Sequence, residues 1–103
     1  MDRRALLNEE LINLLGDGSR HVYFQPNENV EMKYPCIVYE RHDINNTEAD
    51  NDIYLQKVQY TVIVIDRNPD SPIVKRMAKF RNARFKSHYV ADNLNHDSFE
   101  IYY

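Results

Sequence analysis

A chain of 103 residues has room for one compact domain, burying roughly 60–65% of the unfolded surface around a modest core and leaving no cleft of enzyme size. Thirteen Lys and Arg against sixteen Asp and Glu give a net charge of −3 and a pI near 5.7, the wrong balance for holding nucleic acid through a general phosphate field. The single cysteine, Cys36, excludes an internal disulfide or a thiolate cluster within one chain, and the longest aliphatic run, Val62-Ile63-Val64-Ile65, falls far short of the ~20 residues of a membrane span.

The chain begins Met1-Asp2-Arg3-Arg4 and passes into leucines interrupted by Asn8, Glu9 and Glu10, which is no signal-peptide core and implies a cytoplasm-like setting. Residues 2–15 predict a helix. Leu7, Leu11, Leu14 and Leu15 share one face, widened by Ile12, with Glu9, Glu10 and Asn13 opposite. Asp2 is placed to cap it, and Gly16 and Gly18, the only glycines, to stop it. His21-Val22-Tyr23-Phe24 reads as a short strand ended by Pro26, and Cys36 to Arg41 as a second strand after a polar connection.

Residues 42–53 predict an extended acidic loop: Asp43, Glu48, Asp50 and Asp52 give a local charge of −4 with no Lys or Arg, among Asn45, Asn46, Thr47 and Asn51. Tyr54 to Asp66 is the strongest strand signal. Tyr54, Val58, Tyr60, Val62 and Val64 form one face, and the other turns apolar at Ile63 and Ile65, so the second half is expected to be covered on both sides. A turn at 67–70 leads to Ser71 as N-cap and Pro72 at the first helical position, with Ile73, Met77 and Phe80 on the inner stripe and Lys75, Arg76 and Lys79 opposite. Arg84–Val90 and Ser98–Tyr103 alternate and predict a closing hairpin across a six-residue connector, Asp92 to Asp97. His88 is placed on one face with Lys86 and Val90. The expectation is a single α+β domain over 1–103, in the order α-β-β-β-α-β-β: a small antiparallel or mixed sheet of about five strands, one of them long, packed with two helices.

No constellation carries chemistry. The four histidines (21, 42, 88, 96) lack ligand spacing and are read as surface or half-buried groups. Asn93-x-Asn95-His96-Asp97 resembles an HNH motif only superficially and is read as connector chemistry. Pro69-Asp70 lacks the acid-x-Lys that a nuclease needs on the next strand. The serines have no Gly-x-Ser-x-Gly elbow, Cys36 is read as a buried structural thiol, and two glycines cannot make a phosphate loop. Neither catalysis, nor a cofactor, nor a metal is expected.

Surfaces are left. The acidic loop at −4 opposes six Lys and Arg without an acid between Ser71 and Ala91. Tyr23, Tyr39, Tyr54, Tyr60, Tyr89, Tyr102 and Tyr103 exceed what a small core needs, and tyrosine favours interfaces. Unlike patches on one subunit permit head-to-tail association, closing into a ring where the rotation allows. The candidate subunit interface is therefore Asp43, Glu48, Asp50, Asp52 and Tyr54 on one side, and Lys75, Arg76 and Lys79 on the other.

Tyr34-Pro35-Cys36-Ile37-Val38-Tyr39-Glu40, the polar loop, Tyr60-Thr61-Val62-Ile63-Val64-Ile65-Asp66, Asp70-Ser71-Pro72 and the closing Asp92-Asn93-Leu94-Asn95-His96-Asp97 hairpin run in an order that resembles the tail terminator (tail completion) proteins of long-tailed bacteriophages, siphophages and their prophage relatives. The resemblance covers essentially the whole chain and rests on structural motifs. It implies a hexameric ring in the virion, assembled in the host cytoplasm, that caps the head-proximal end of the tail tube and meets the head connector, with DNA passing unread through the lumen. It carries no catalytic residues. It implies that the loop at Asp43 to Asp52 faces neighbouring rings, and the shortness of this chain is a departure from the family. The alternatives are another neck component, such as a head-completion or stopper ring, or a small nucleic-acid module using the basic 75–86 stretch.

Overall fold

The computed structural model describes residues 3–42 and 58–103. The described residues form α1 (Arg3–Leu15), β1 (Val22–Phe24), β2 (Cys36–Arg41), β3 (Gln59–Asp66), α2 (Pro72–Ala78), β4 (Ala83–Ala91) and β5 (Leu94–Tyr102). The five strands make one sheet in the order β1-β2-β3-β5-β4, with β1 and β2 parallel and every other pair antiparallel. This is the α+β class with a mixed sheet. The predicted loop at 42–53 and the first residues of the predicted 54–66 strand lie, except for His42, outside the described residues, as does the cap Asp2.

Both helices cover the same side of the sheet, α1 over β1 and β2, and α2 against β4 and β5. The period of two along each strand sorts the core: Ile37 and Tyr39 of β2, Tyr60, Val62 and Val64 of β3, and Phe99 and Ile101 of β5 all face the helices. Against them α1 sets Leu7, Leu11 and Leu15, one turn apart, and α2 sets Ile73 and Met77. Fully burying side chains of this size is worth about 1.5–3 kcal/mol each, so this layer is the main driver of folding. Neither α1 nor α2 covers the far side of β3. Ile65 there meets Cys36 and Leu94, with Tyr23, Tyr34, Val38 and Ile63 packed beside them. The expected two-sided cover of β3 thus takes the form of a strand-and-tyrosine cluster.

Local chemistry sets the boundaries. Gly16 and Gly18 adopt left-handed φ of 73° and 76°, a region costly for any residue with a Cβ, and α1 ends at Leu15. Ser71 Oγ accepts from Ile73 N at 3.2 Å, and Pro72 follows at the first helical position. Asp66 accepts from Asn68 N and Asn68 from Asp70 N, at 3.0 and 2.9 Å, which folds the 67–70 turn.

Three expectations are corrected. The closing hairpin has a two-residue turn, Asp92-Asn93, both with positive φ (53° and 63°), as a type I′ turn requires. Leu94 to Asp97 belong to β5, because their polar groups are satisfied inside the sheet. Asn95 Nδ2 donates to the carbonyls of Asp66 and Arg67 (3.2 Å each), and Asp97 meets His88. Second, a bulge between Phe85 and Ser87 resets the alternation of β4. Lys86 turns to Glu100 while His88 turns to Asp97, so the two are separated. Third, Glu10 of α1 is no free outer residue: it accepts from the Tyr103 hydroxyl and pairs with Arg81 at 3.0 Å.

Candidate subunit interface

The tyrosines divide by hydroxyl partner. Tyr39, Tyr60 and Tyr103 are buried, correcting their reading as interface residues. Tyr39 donates to Asn8 Oδ1 at 2.7 Å and Tyr103 to Glu10, so each ring fills the core while its polar end is satisfied at the rim. Burial, then the hydrogen bond to Glu10, raises the Tyr103 pKa above the ordinary tyrosine value. Tyr23 is half-buried and its hydroxyl accepts from Lys33 N at 3.1 Å. Among the described tyrosines, Tyr89 and Tyr102 are the open ones, at 47% and 46% exposure. Tyr54 lies outside the described residues, as do Asp43, Glu48, Asp50 and Asp52.

The basic stretch divides as sharply. Arg76 Nε donates to the Leu14 carbonyl at 2.6 Å and Nη2 to the Leu15 carbonyl at 2.9 Å, closing the C-terminal end of α1. Those carbonyls have no partner within the helix and carry its negative end, so a forked cation suits them. Arg81 is held by Glu10, between the rings of Phe80 and Tyr103. Arg84 and Lys86 flank Glu100 at 3.7 and 3.5 Å, and the Tyr102 hydroxyl donates to the same carboxylate at 3.3 Å. Glu100 is nearly buried, so its charge would be costly without these neighbours. Lys75 and Lys79 are exposed, and their ammonium groups have no hydrogen-bond or ion-pair partner among the described residues. Of the predicted basic face, two lysines are therefore free, while Arg76 holds two helices together.

A surface that sequence patterning did not single out is β4. It is the sheet's outer strand and is exposed along its length from Arg84 to Ala91. It shows Phe85, Tyr89 and Val90 to solvent at 52%, 47% and 61%. Nine residues of strand present about 30 Å of backbone edge. The opposite edge, β1, has only three residues. The exposed rings are held in place: Phe85 meets Phe99 edge-on at 5.5 Å, and Tyr89 stacks on His96 at 4.6 Å. The apolar residues of Arg84–Val90 are visible in the sequence; that β4 is an outer strand with these side chains exposed is not.

Three of the four histidines serve the sheet. His88 Nδ1 lies 2.9 Å from Asp97 Oδ1, His96 Nδ1 3.0 Å from the Leu94 carbonyl, and His42 Nε2 against Thr61 Oγ1. The His88–Asp97 pair is an acid–base couple, but neither of its members lines the two grooves beside α1. Cys36 is fully buried, and desolvation, followed by the charge of Asp66, pushes its thiol up to about 12, so it stays protonated. Among the described residues no group of three or more His, Cys, Asp or Glu is arranged to hold a metal, and no helix is long and apolar enough to cross a membrane.

Set against known proteins, the chain matches no family model, no curated protein and no solved structure.

Proposed function

We propose that this protein is a structural building block that assembles with copies of itself, and that the assembly is the tail terminator ring of a long-tailed phage, capping the tail tube and meeting the head connector. The observation that carries the first half is β4: a long outer strand, bulged between Phe85 and Ser87, whose side chains from Arg84 to Ala91 are exposed and include three large apolar ones. Proteins that stay monomeric blunt such edges by shortening, covering, bulging or heavily charging them, and β4 has only the bulge at its Phe85 end. Here Arg84 and Lys86 pair with Glu100, and the half of the strand with Tyr89 and Val90 carries no Lys, Arg, Asp or Glu.

The second half rests on the resemblance of the sequence motifs. Two unlike sheet ends, β1 and β4, suit the head-to-tail contacts of a ring. A subunit of net charge −3 suits a lumen through which DNA must slide without being gripped. Another neck ring would use the same edge, and only its layer would differ. The nucleic-acid reading draws less support, since Arg76, Arg81, Arg84 and Lys86 of its basic stretch already have protein partners.

The test is mass in solution and negative-stain imaging, alone and with purified tail tubes. The wild-type chain is expected to form closed rings, alone or on tube ends, and Phe85→Lys with Val90→Lys to remain a folded monomer that leaves tube ends bare. A wild-type chain that stays monomeric with and without tubes, or a double variant that assembles normally, refutes the reading.

A further inference from the structure

At the opposite end of the sheet from β4, a groove of about 360 Å³ opens between the start of α1 and the strands β1, β2 and β3. Its lining includes Arg3, Arg4, Arg41, Phe24, Gln25 and Tyr60 and, among the described residues, no acidic side chain. Arg20, Arg81 and Arg84 each have a carboxylate within 4 Å, whereas Arg3, Arg4 and Arg41 have none among the described residues. The first turn of α1 contains no acid either, so the positive end of the helix adds to the field of three guanidiniums.

Two of the three guanidiniums are already oriented. Arg4 lies 4.3 Å over the Phe24 ring and Arg3 5.1 Å over the Tyr103 ring. A ring beneath the plane fixes it by cation–π attraction and leaves the N–H edges free to fork onto an oxyanion. The same stacking occupies the ring faces that single-stranded nucleic acid needs for its bases. The groove thus suits oxyanions better than stacked bases.

The matching charge is in the chain: residues 43–52 hold four carboxylates and no base. We infer that the Arg3/Arg4/Arg41 groove of one copy receives the acidic 43–52 stretch of another copy. This rests on the self-assembly reading above and replaces Lys75/Arg76/Lys79 as the acceptor, because Arg76 is committed to α1. The contact is electrostatic and weakens with salt.

The experiment uses the full chain with a photo-crosslinking amino acid in place of Gln25, mixed one to one with a ¹⁵N-labelled copy and irradiated. Cleavage after Arg41 and Lys57 isolates 42–57 as one tryptic peptide. Light–heavy links between the Gln25 position and this peptide are expected. They should fall at least tenfold in Arg3→Glu/Arg4→Glu, and likewise when Asp43→Asn, Glu48→Gln, Asp50→Asn and Asp52→Asn are combined. Links only within one chain, no links to 42–57, or links erased by single-stranded DNA but indifferent to the acid-neutralised variant would each overturn the inference. Should the Gln25 substitution disturb folding, a labelled synthetic 43–52 peptide is titrated by anisotropy onto the acid-neutralised chain. Tight binding weakened tenfold by Arg4→Glu supports the groove, and equal or absent binding overturns it. Mass measured on the same samples separates the two readings. Assemblies without cross-copy links defeat only this inference; absence of assemblies with and without tubes defeats self-assembly itself.

Discussion

Arg76 offers the sharpest separation between a residue that binds a neighbour and one that binds its own fold. Its two hydrogen bonds, at 2.6 and 2.9 Å, run from a cation to carbonyls that no helical N–H can reach. A hydrogen bond to a charged group contributes about 1.5–3 kcal/mol, but this side chain is solvent-exposed, so about 1 kcal/mol each is the fitting value, or about 2 kcal/mol for Arg76→Ala. For a domain of this size that lowers Tm by about 10 °C. Arg76→Lys, a point charge without the fork, should recover about half. Lys75→Ala and Lys79→Ala, which remove no such contact, should stay within about 0.5 kcal/mol. Urea denaturation of the four variants, followed by far-UV circular dichroism, reads all of this directly. If Arg76→Ala proves as stable as Lys75→Ala yet fails to assemble, the clamp is wrong and Arg76 is an interface residue after all.

Other outcomes follow from the same geometry. Asn93, at φ 63° in the two-residue turn, should tolerate Gly with a change of a few tenths of a kcal/mol, whereas Asn93→Val should cost about 1–2 kcal/mol in denaturant midpoints. Cys36 should resist a thiol reagent at pH 8 in the native state and react once unfolded; prompt native labelling would contradict its burial. Cys36 and Tyr103 are acids whose folded pKa values lie above their ordinary ones, so the stability they confer is complete below those ordinary values. It is lost as pH rises, for Cys36 between about 9 and about 12. Tyr103→Phe and Cys36→Ala should each flatten the alkaline fall in midpoint.

Local signals written in contiguous residues were legible without a structure. The leucine spacing of α1, Ser71-Pro72 at the start of α2, the glycines at 16 and 18 and the alternation of β3 each act within one turn or a few residues, so the sequence specified the elements and the α+β class. Long-range pairing was not legible. Asn95, His96 and Asp97 look like connector residues until β3 and β4 supply Asp66, Tyr89 and His88 as partners. Arg76 and Arg81 look like one basic face until α1 brings Leu14, Leu15 and Glu10 to them across more than sixty residues of chain. The bulge at Lys86 inverts a face by a single residue, which no period-two count registers. Which strand becomes an edge, and so which tyrosines are core and which are surface, is a property of strand order. Strand order depends on contacts between segments far apart in the chain, and only the assembled sheet decides it.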